Sequence, residues 1–166
     1  MTVHTENSIV IKAPLARVFQ DTSNLLLWPK VLPHYRWIRI LEIGDDGLVV
    51  RMGARRGWLP IRWTARFQVD PKTPELHFEH LKAFTRGMKV RWTYTPTADG
   101  VLVSITHELD RSSAVGRWFA QRVLADGYIQ PIAARTLSHF KKHLEQTEGG
   151  SEAAERNDER RARSDG

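Results

Sequence analysis

Residues 61–70 alternate without a break: Ile61, Trp63, Ala65, Phe67 and Val69 are apolar, and Arg62, Thr64, Arg66, Gln68 and Asp70 between them are polar. A helix would wind that two-residue period around its whole circumference, whereas a strand sorts it onto two faces. One face is built to be covered and the other to stay wet, the signature of an antiparallel sheet packed on one side. The pattern recurs: Met88, Val90, Trp92 and Tyr94 alternate with Lys89, Arg91, Thr93 and Thr95, and Val101, Val103, Ile105, His107 and Leu109 with Leu102, Ser104, Thr106 and Glu108. Leu48, Val50, Met52 and Ala54 likewise oppose Val49, Arg51 and Arg55.

Seven strands are predicted on this basis, at Val3–Lys12, Tyr35–Gly44, Leu48–Arg55, Pro60–Asp70, Leu76–Lys82, Met88–Pro96 and Val101–Asp110. Turn signals such as Asp45-Asp46-Gly47, Arg56-Gly57 and Asp99-Gly100 separate them, and connections that short join antiparallel neighbours. Ala13–Phe19, with Pro14 at a first helical position, and Ser23–Lys30 read as two short helical segments. After Asp110 the period changes. Ser112 or Ser113 caps a helix whose apolar residues, from Val115 through Ile129, Ala133, Leu137 and Phe140 to Leu144, recur at helical spacing, with Gly127 and Pro131 as a break. Strand, two short helices, six strands and a long amphipathic helix make an α+β domain, a curved antiparallel sheet with its helices on one face.

The last 21 residues, Gln146–Gly166, contain no Val, Ile, Leu, Met, Phe, Trp or Tyr, so the chain divides into a domain at 1–145 and a disordered charged tail at 146–166. That tail carries four Arg and six acids, so the +6 net charge of the chain resolves into +8 on the domain and −2 on the tail. The absence of cysteine excludes disulfides, thiolate metal sites and a cysteine nucleophile. Neither a membrane-length apolar run nor a signal-peptide pattern is present, and a cytoplasmic setting is expected. No phosphate loop, nucleophile elbow or dinucleotide fingerprint occurs, and no cofactor is expected. His139 and His143 stand four apart on the last helix but lack a third ligand at a suggestive interval, so no metal is expected. The aromatic residues interleave with the core pattern and not with the basic face, which argues against nucleic acid.

The inner sheet face is unusually rich in aromatic and sulfur-bearing side chains. Trp63, Phe67, Met88, Trp92 and Tyr94 are each ordinary core candidates, yet together they suit the wall of a cavity for a bulky unsaturated ligand. His80 and His107 lie on the apolar faces of their strands, as acid, base or hydrogen-bonding groups or as satisfied core histidines.

The stretch Asn7–Pro14, followed by Trp28-Pro29, Tyr35, Gly47, Trp63, the triplet Trp92-Thr93-Tyr94, and His107-Glu108-Leu109-Asp110, resembles the single-domain aromatase/cyclases of bacterial aromatic polyketide synthesis. These belong to the helix-grip superfamily shared with START lipid-transfer domains, also called SRPBCC or polyketide cyclase/dehydrase-like proteins. The resemblance spans about residues 3–145. It implies a sheet gripping the C-terminal helix, with a polyketide chain entering the cavity between them. Trp28 and Tyr35 would lie near the mouth, with Trp63 and Trp92 on the wall. In the family an inward arginine on the strand beginning at Trp63, with a tyrosine and polar cavity residues, directs cyclisation and dehydration. Counted on from Trp63, that arginine position is occupied here by Phe67, while Arg66 falls on the polar face unless a one-residue bulge turns it inward. Tyr35, Arg86 just before the sixth strand, and His107 are therefore the catalytic candidates. Trp28, Trp63, Phe67, His80, Met88, Trp92 and Tyr94 are the substrate-binding candidates.

Two functions follow. One is a polyketide cyclase or dehydratase, without metal or nucleotide cofactor, acting on a chain delivered by an acidic acyl carrier protein that docks on Arg62, Arg66, Lys89 and Arg91. The alternative is a non-catalytic carrier or sensor of a hydrophobic small molecule such as a lipid, quinone or pigment.

Overall fold

The computed structural model describes residues 2–82, 85–110 and 129–164, with side chains from residue 4 to residue 150 of those ranges. Seven strands, β1 (Thr2–Ile11), β2 (Tyr35–Gly44), β3 (Gly47–Arg56), β4 (Leu59–Asp70), β5 (Glu75–His80), β6 (Lys89–Thr97) and β7 (Gly100–Asp110), form one sheet. Its order is β1-β7-β6-β5-β4-β3-β2, antiparallel throughout. Every strand end lies within two residues of its sequence prediction, because each turn carries its own signal.

The helices are α1 (Leu15–Ser23), α2 (Trp28–Val31) and α3 (Ile129–Ser164). Pro14 is the residue before α1, extended at ψ 141°, and not inside its first turn. The second helical segment begins later than expected, at Trp28, because the Asn24 side chain accepts from Leu26 N–H and turns the intervening residues into a loop. The expected cap at Ser112 or Ser113 and the break at Gly127 lie outside the described residues. Pro131 stands two residues after Ile129, where the described helix α3 begins, and the helix runs on past it. The helical backbone of α3 continues to Ser164, through a segment rich in Ala, Glu and Arg.

Its apolar residues Ala133, Leu137, Phe140 and Leu144 are buried against the concave face of the sheet. Two polar ties fix its placement. Lys141 Nζ donates to the Val10 carbonyl at 2.7 Å and to Glu145 Oε1 at 2.7 Å, and the same carboxylate oxygen accepts from Lys12 N–H at 2.9 Å. Asp21 on α1 pairs with Arg17 and with His143 of α3, each at 3.2 Å. Between helices and sheet sits Trp28, 2% exposed, whose ring meets Tyr35, Phe78, Trp92 and Phe140 with centroids 5.1–5.9 Å apart.

On the outer face the Trp37 indole lies across Gly53, with the Arg39 guanidinium 5.2 Å from the ring centroid. A Cβ at Gly53 would stand 2.5 Å from the Trp37 ring. Gly53→Ala is therefore expected to lift Trp37 off the sheet and cost about 1–3 kcal/mol. Urea unfolding, with acrylamide quenching of Trp fluorescence to detect the displaced ring, checks both effects.

Candidate functional site

A pocket of about 90 Å³ opens between the sheet and the N-terminal turns of α3. Trp28, Tyr35, Met52, Phe78, Met88, Trp92 and Ile105 form its buried wall, and the half-exposed Ile61, Trp63, Ile129 and Ile132 with the exposed Arg62 form its rim. Such a lining rewards apolar, flat ligands. The free space is well below the roughly 300–1,000 Å³ of drug-sized sites, so a multi-ring ligand requires side chains or α3 to move outward.

The polar groups in this wall are few and mostly neutral. Tyr35 is buried edge-on between Trp28 and Trp63, with ring centroids 5.1 and 5.8 Å away. Burial raises its phenol above the ordinary value, opposed by a hydrogen bond with Thr136 on α3, so it remains a proton donor at neutral pH. The Thr136 hydroxyl gives its proton to the Ile132 carbonyl at 2.8 Å. His34, 2.9 Å from that hydroxyl through Nε2, is then the donor, which leaves its buried Nδ1 without a partner. Burial first, then His139 and Arg135, push His34 down to about 4.

His80 stacks parallel to Trp63 at 6.1 Å, and its Nδ1 is 2.8 Å from Thr85 Oγ1. Burial lowers it to about 4. His107 is lowered to about 3 by burial, with further contributions from His80 and His4, and its buried Nδ1 has no hydrogen-bond partner. Imidazoles held neutral in this way are weak bases but good hydrogen-bond donors and acceptors toward carbonyl and enol oxygens.

Of the residues singled out from sequence, Trp28, Tyr35, Trp63, His80, Met88, Trp92 and His107 converge on the pocket. Trp28 and Tyr35 are its deep wall and not its mouth, at 2% and 7% exposure. Phe67, Tyr94 and Arg86 stand outside the lining. Phe67 is buried against Phe78 at 4.7 Å. The Tyr94 hydroxyl lies 2.7 Å from Thr22 Oγ1, and its ring meets Phe19 edge-on at 5.4 Å. Arg86 is exposed in the turn before β6. The pairing of β3 with β4 and of β4 with β5 runs without a shift, so no bulge turns Arg66 inward and it stays exposed. Phe67→Arg would accordingly bury a charge in the core and not install a catalytic arginine.

Sequence reasoning missed Thr85, Thr136 and His34, and it assigned Arg62 to the outer docking face and not to the pocket. Thr136 alone left a trace, as a polar residue breaking the apolar stripe of α3. Among the described residues no cluster of three His, Cys, Asp or Glu side chains could hold a metal, and no helix is long and apolar enough to cross a membrane.

A family profile described as polyketide cyclase / dehydrase and lipid transport matches residues 2–145. A Streptomyces halstedii protein assigned as a polyketide cyclase is 32% identical over 110 residues, covering 62% of this chain and 97% of that protein. The crystal structure of the aromatase/cyclase Zhui from Streptomyces sp. R1128 superposes with TM-score 0.74 at 18% identity, covering 88% of this chain and 95% of that one. A START superfamily protein from Mycobacterium smegmatis gives 0.64 at 12% identity, covering 87% and 98%. At those identities the two structures speak for the fold alone: a helix-grip architecture.

The three buried histidines make stability depend on pH. Their folded values lie below the ordinary imidazole value of about 6.5, so the unfolded chain binds protons that the folded chain refuses. Stability is fully present above about pH 6.5 and is lost as pH falls toward 4 and below. Urea midpoints should be level from pH 8 to 7 and drop steadily from 6.5 to 4. His107→Gln should make that drop shallower, and an unchanged slope would show that His107 titrates normally.

Proposed function

This chain belongs to the polyketide cyclase / dehydrase and lipid transport family, and on that premise we propose that its pocket takes a polyketide-type chain and promotes cyclisation and dehydration. The observation that carries the reading is an aromatic pocket whose polar groups are the Tyr35 phenol, the His80–Thr85 pair, His107 and Thr136. A poly-β-ketone is flexible and reactive, and its uncatalysed ring closures are unselective. A narrow aromatic slot restrains the chain to a few folds, which lowers the entropic barrier to one of them.

The chemical step is enolisation, attack of the enol carbon on a second carbonyl, and loss of water from the aldol. The phenol of Tyr35 turns its proton from Thr136 to the carbonyl oxygen on which negative charge develops, and the neutral imidazoles of His80 and His107 hold the enol hydroxyl. Arg62 at the rim supplies positive charge without entering the dry interior. The residues thus replace an internal cation by several aligned neutral donors. An acidic acyl carrier protein would present the chain, in the cytoplasm where such synthases work.

Reconstitution with a ketosynthase and carrier protein that produce an unreduced poly-β-ketone tests this. Addition of the chain should replace a mixture of spontaneous products by one aromatic product. Tyr35→Phe and His107→Gln should each slow that step by about 100-fold while ligand quenching of Trp fluorescence persists. Retained quenching with an unchanged product mixture would establish a carrier and not a catalyst.

A further inference from the structure

Among the described residues, four stretches contribute to or border the pocket: 33–37, 53–62, 81–82 with 85–88, and 129–136. Together they contain seven Lys and Arg and no Asp or Glu. All seven, among them Arg36, Arg55, Arg62 and Arg135, are exposed. The turns at the opposite end of the sheet hold Asp45, Asp46, Asp70 and Asp99 with Lys72. Basic residues therefore predominate on the stretches beside the pocket, and acidic ones in the turns at the far end, with Asp110 and Lys72 as the exceptions at the two ends.

The outer sheet face does not share this polarity. Arg66, Glu79, Lys89 and Glu108 follow one another across β4, β5, β6 and β7 with alternating sign. Arg91 is held by both carboxylate oxygens of Glu75. Of the four basic residues that the sequence offered for docking, three are balanced by neighbouring acids on that face. Arg62, which borders the pocket, makes no ion pair among the described residues.

The same rim carries Trp58 at the tip of the β3–β4 hairpin, 85% exposed, beside Gly57 in the left-handed region at φ +59°. A bare indole next to arginines is the composition of a binding hot spot, and nothing in the fold rests on it.

We propose that this rim, centred on the β3–β4 hairpin, is the docking surface for an acidic protein, with Trp58 as its apolar anchor and Arg55, Arg62 and Arg36 as its charge partners. The proposal rests on the reading of the pocket given above. A chain still attached to its carrier brings the carrier's surface to the opening, and opposite charge around that opening orients the encounter. Among the described residues, Arg62 lines the pocket itself, and Arg36, Arg55 and Arg135 stand on the segments that supply Tyr35, Ile61 and Thr136 to it, which places the partner over the pocket and not on the sheet face.

The test uses the full chain, an acidic acyl carrier protein as probe, and titration calorimetry at two salt concentrations. Binding should weaken several-fold when salt rises from about 50 to about 300 mM. Trp58→Ala and Arg55→Glu should each weaken it by about tenfold, and Arg91→Glu should leave it unchanged. Both rim variants should retain Trp quenching by 1,8-dihydroxyanthraquinone, which reads the pocket independently of the surface. Carrier binding that ignores the rim variants overturns the proposal, as does rim-dependent binding to phosphatidylglycerol vesicles with none to the carrier protein. Rim-dependent carrier binding without directed cyclisation upholds the surface and removes the catalytic reading. Directed cyclisation at full rate by both rim variants does the reverse.

Discussion

Trp28 is the side chain against which the interior is assembled. It stands on a four-residue helix too short to persist by its own hydrogen bonds, so α2 exists because its tryptophan is buried. The indole N–H donates to the Thr22 carbonyl at 2.9 Å, which joins the end of α1 to the start of α2. The ring touches β2 through Tyr35, β5 through Phe78, β6 through Trp92 and α3 through Phe140. One aromatic body thus sets the spacing between sheet and helix. That spacing is what remains open beside it as the pocket, and the edge-on contact with Tyr35 aims the phenol into it. Thr22 serves twice, since its hydroxyl gives its proton to the Val18 carbonyl at 2.7 Å and accepts from Tyr94 at 2.7 Å, closing the far end of the same interior.

The interior is dry and nearly uncharged, and its chemistry follows from that. A charged arginine in this wall would have to be desolvated without a carboxylate to pair with. The chain instead lines the wall with phenol, hydroxyl and imidazole groups that stay neutral at physiological pH. The cost appears in the atoms left over: Nδ1 of His34 and Nδ1 of His107 are buried without partners, a rare condition for polar groups in a folded protein. His107 lines the pocket, and its unpaired Nδ1 is a donor or an acceptor toward a ligand oxygen according to the tautomer the ring takes. Positive charge is kept at the rim, where water solvates it and a partner can meet it.

Much of this was legible because alternation reports which face a side chain occupies. It does not report how far along the strand the pocket extends. Phe67 and Tyr94 share a face with Trp63 and Trp92 but lie farther from the opening, where neighbouring side chains fill the space. Arg62 sits on the polar face by period, yet it is near the start of β4, where a long side chain reaches the rim. Thr85 belongs to a turn and His34 to the residue before a strand, and neither position carries a periodic signal. The family's arginine position could be counted from Trp63, but only the unshifted register of β3 against β4 shows that Arg66 stays outside.

The account turns on what occupies the space beside Trp28. Titration of protein carrying ¹⁵N-labelled tryptophan with 1,8-dihydroxyanthraquinone, followed through the indole N–H resonances, reads that space directly. Trp28, Trp63 and Trp92 should shift together, with backbone amides between Ile129 and Thr136 moving as α3 gives way to a ligand larger than about 90 Å³, while Trp37 and Trp58 stay in place. Shifts confined to Trp37 and Trp58, or none at saturating ligand, would contradict an internal binding site.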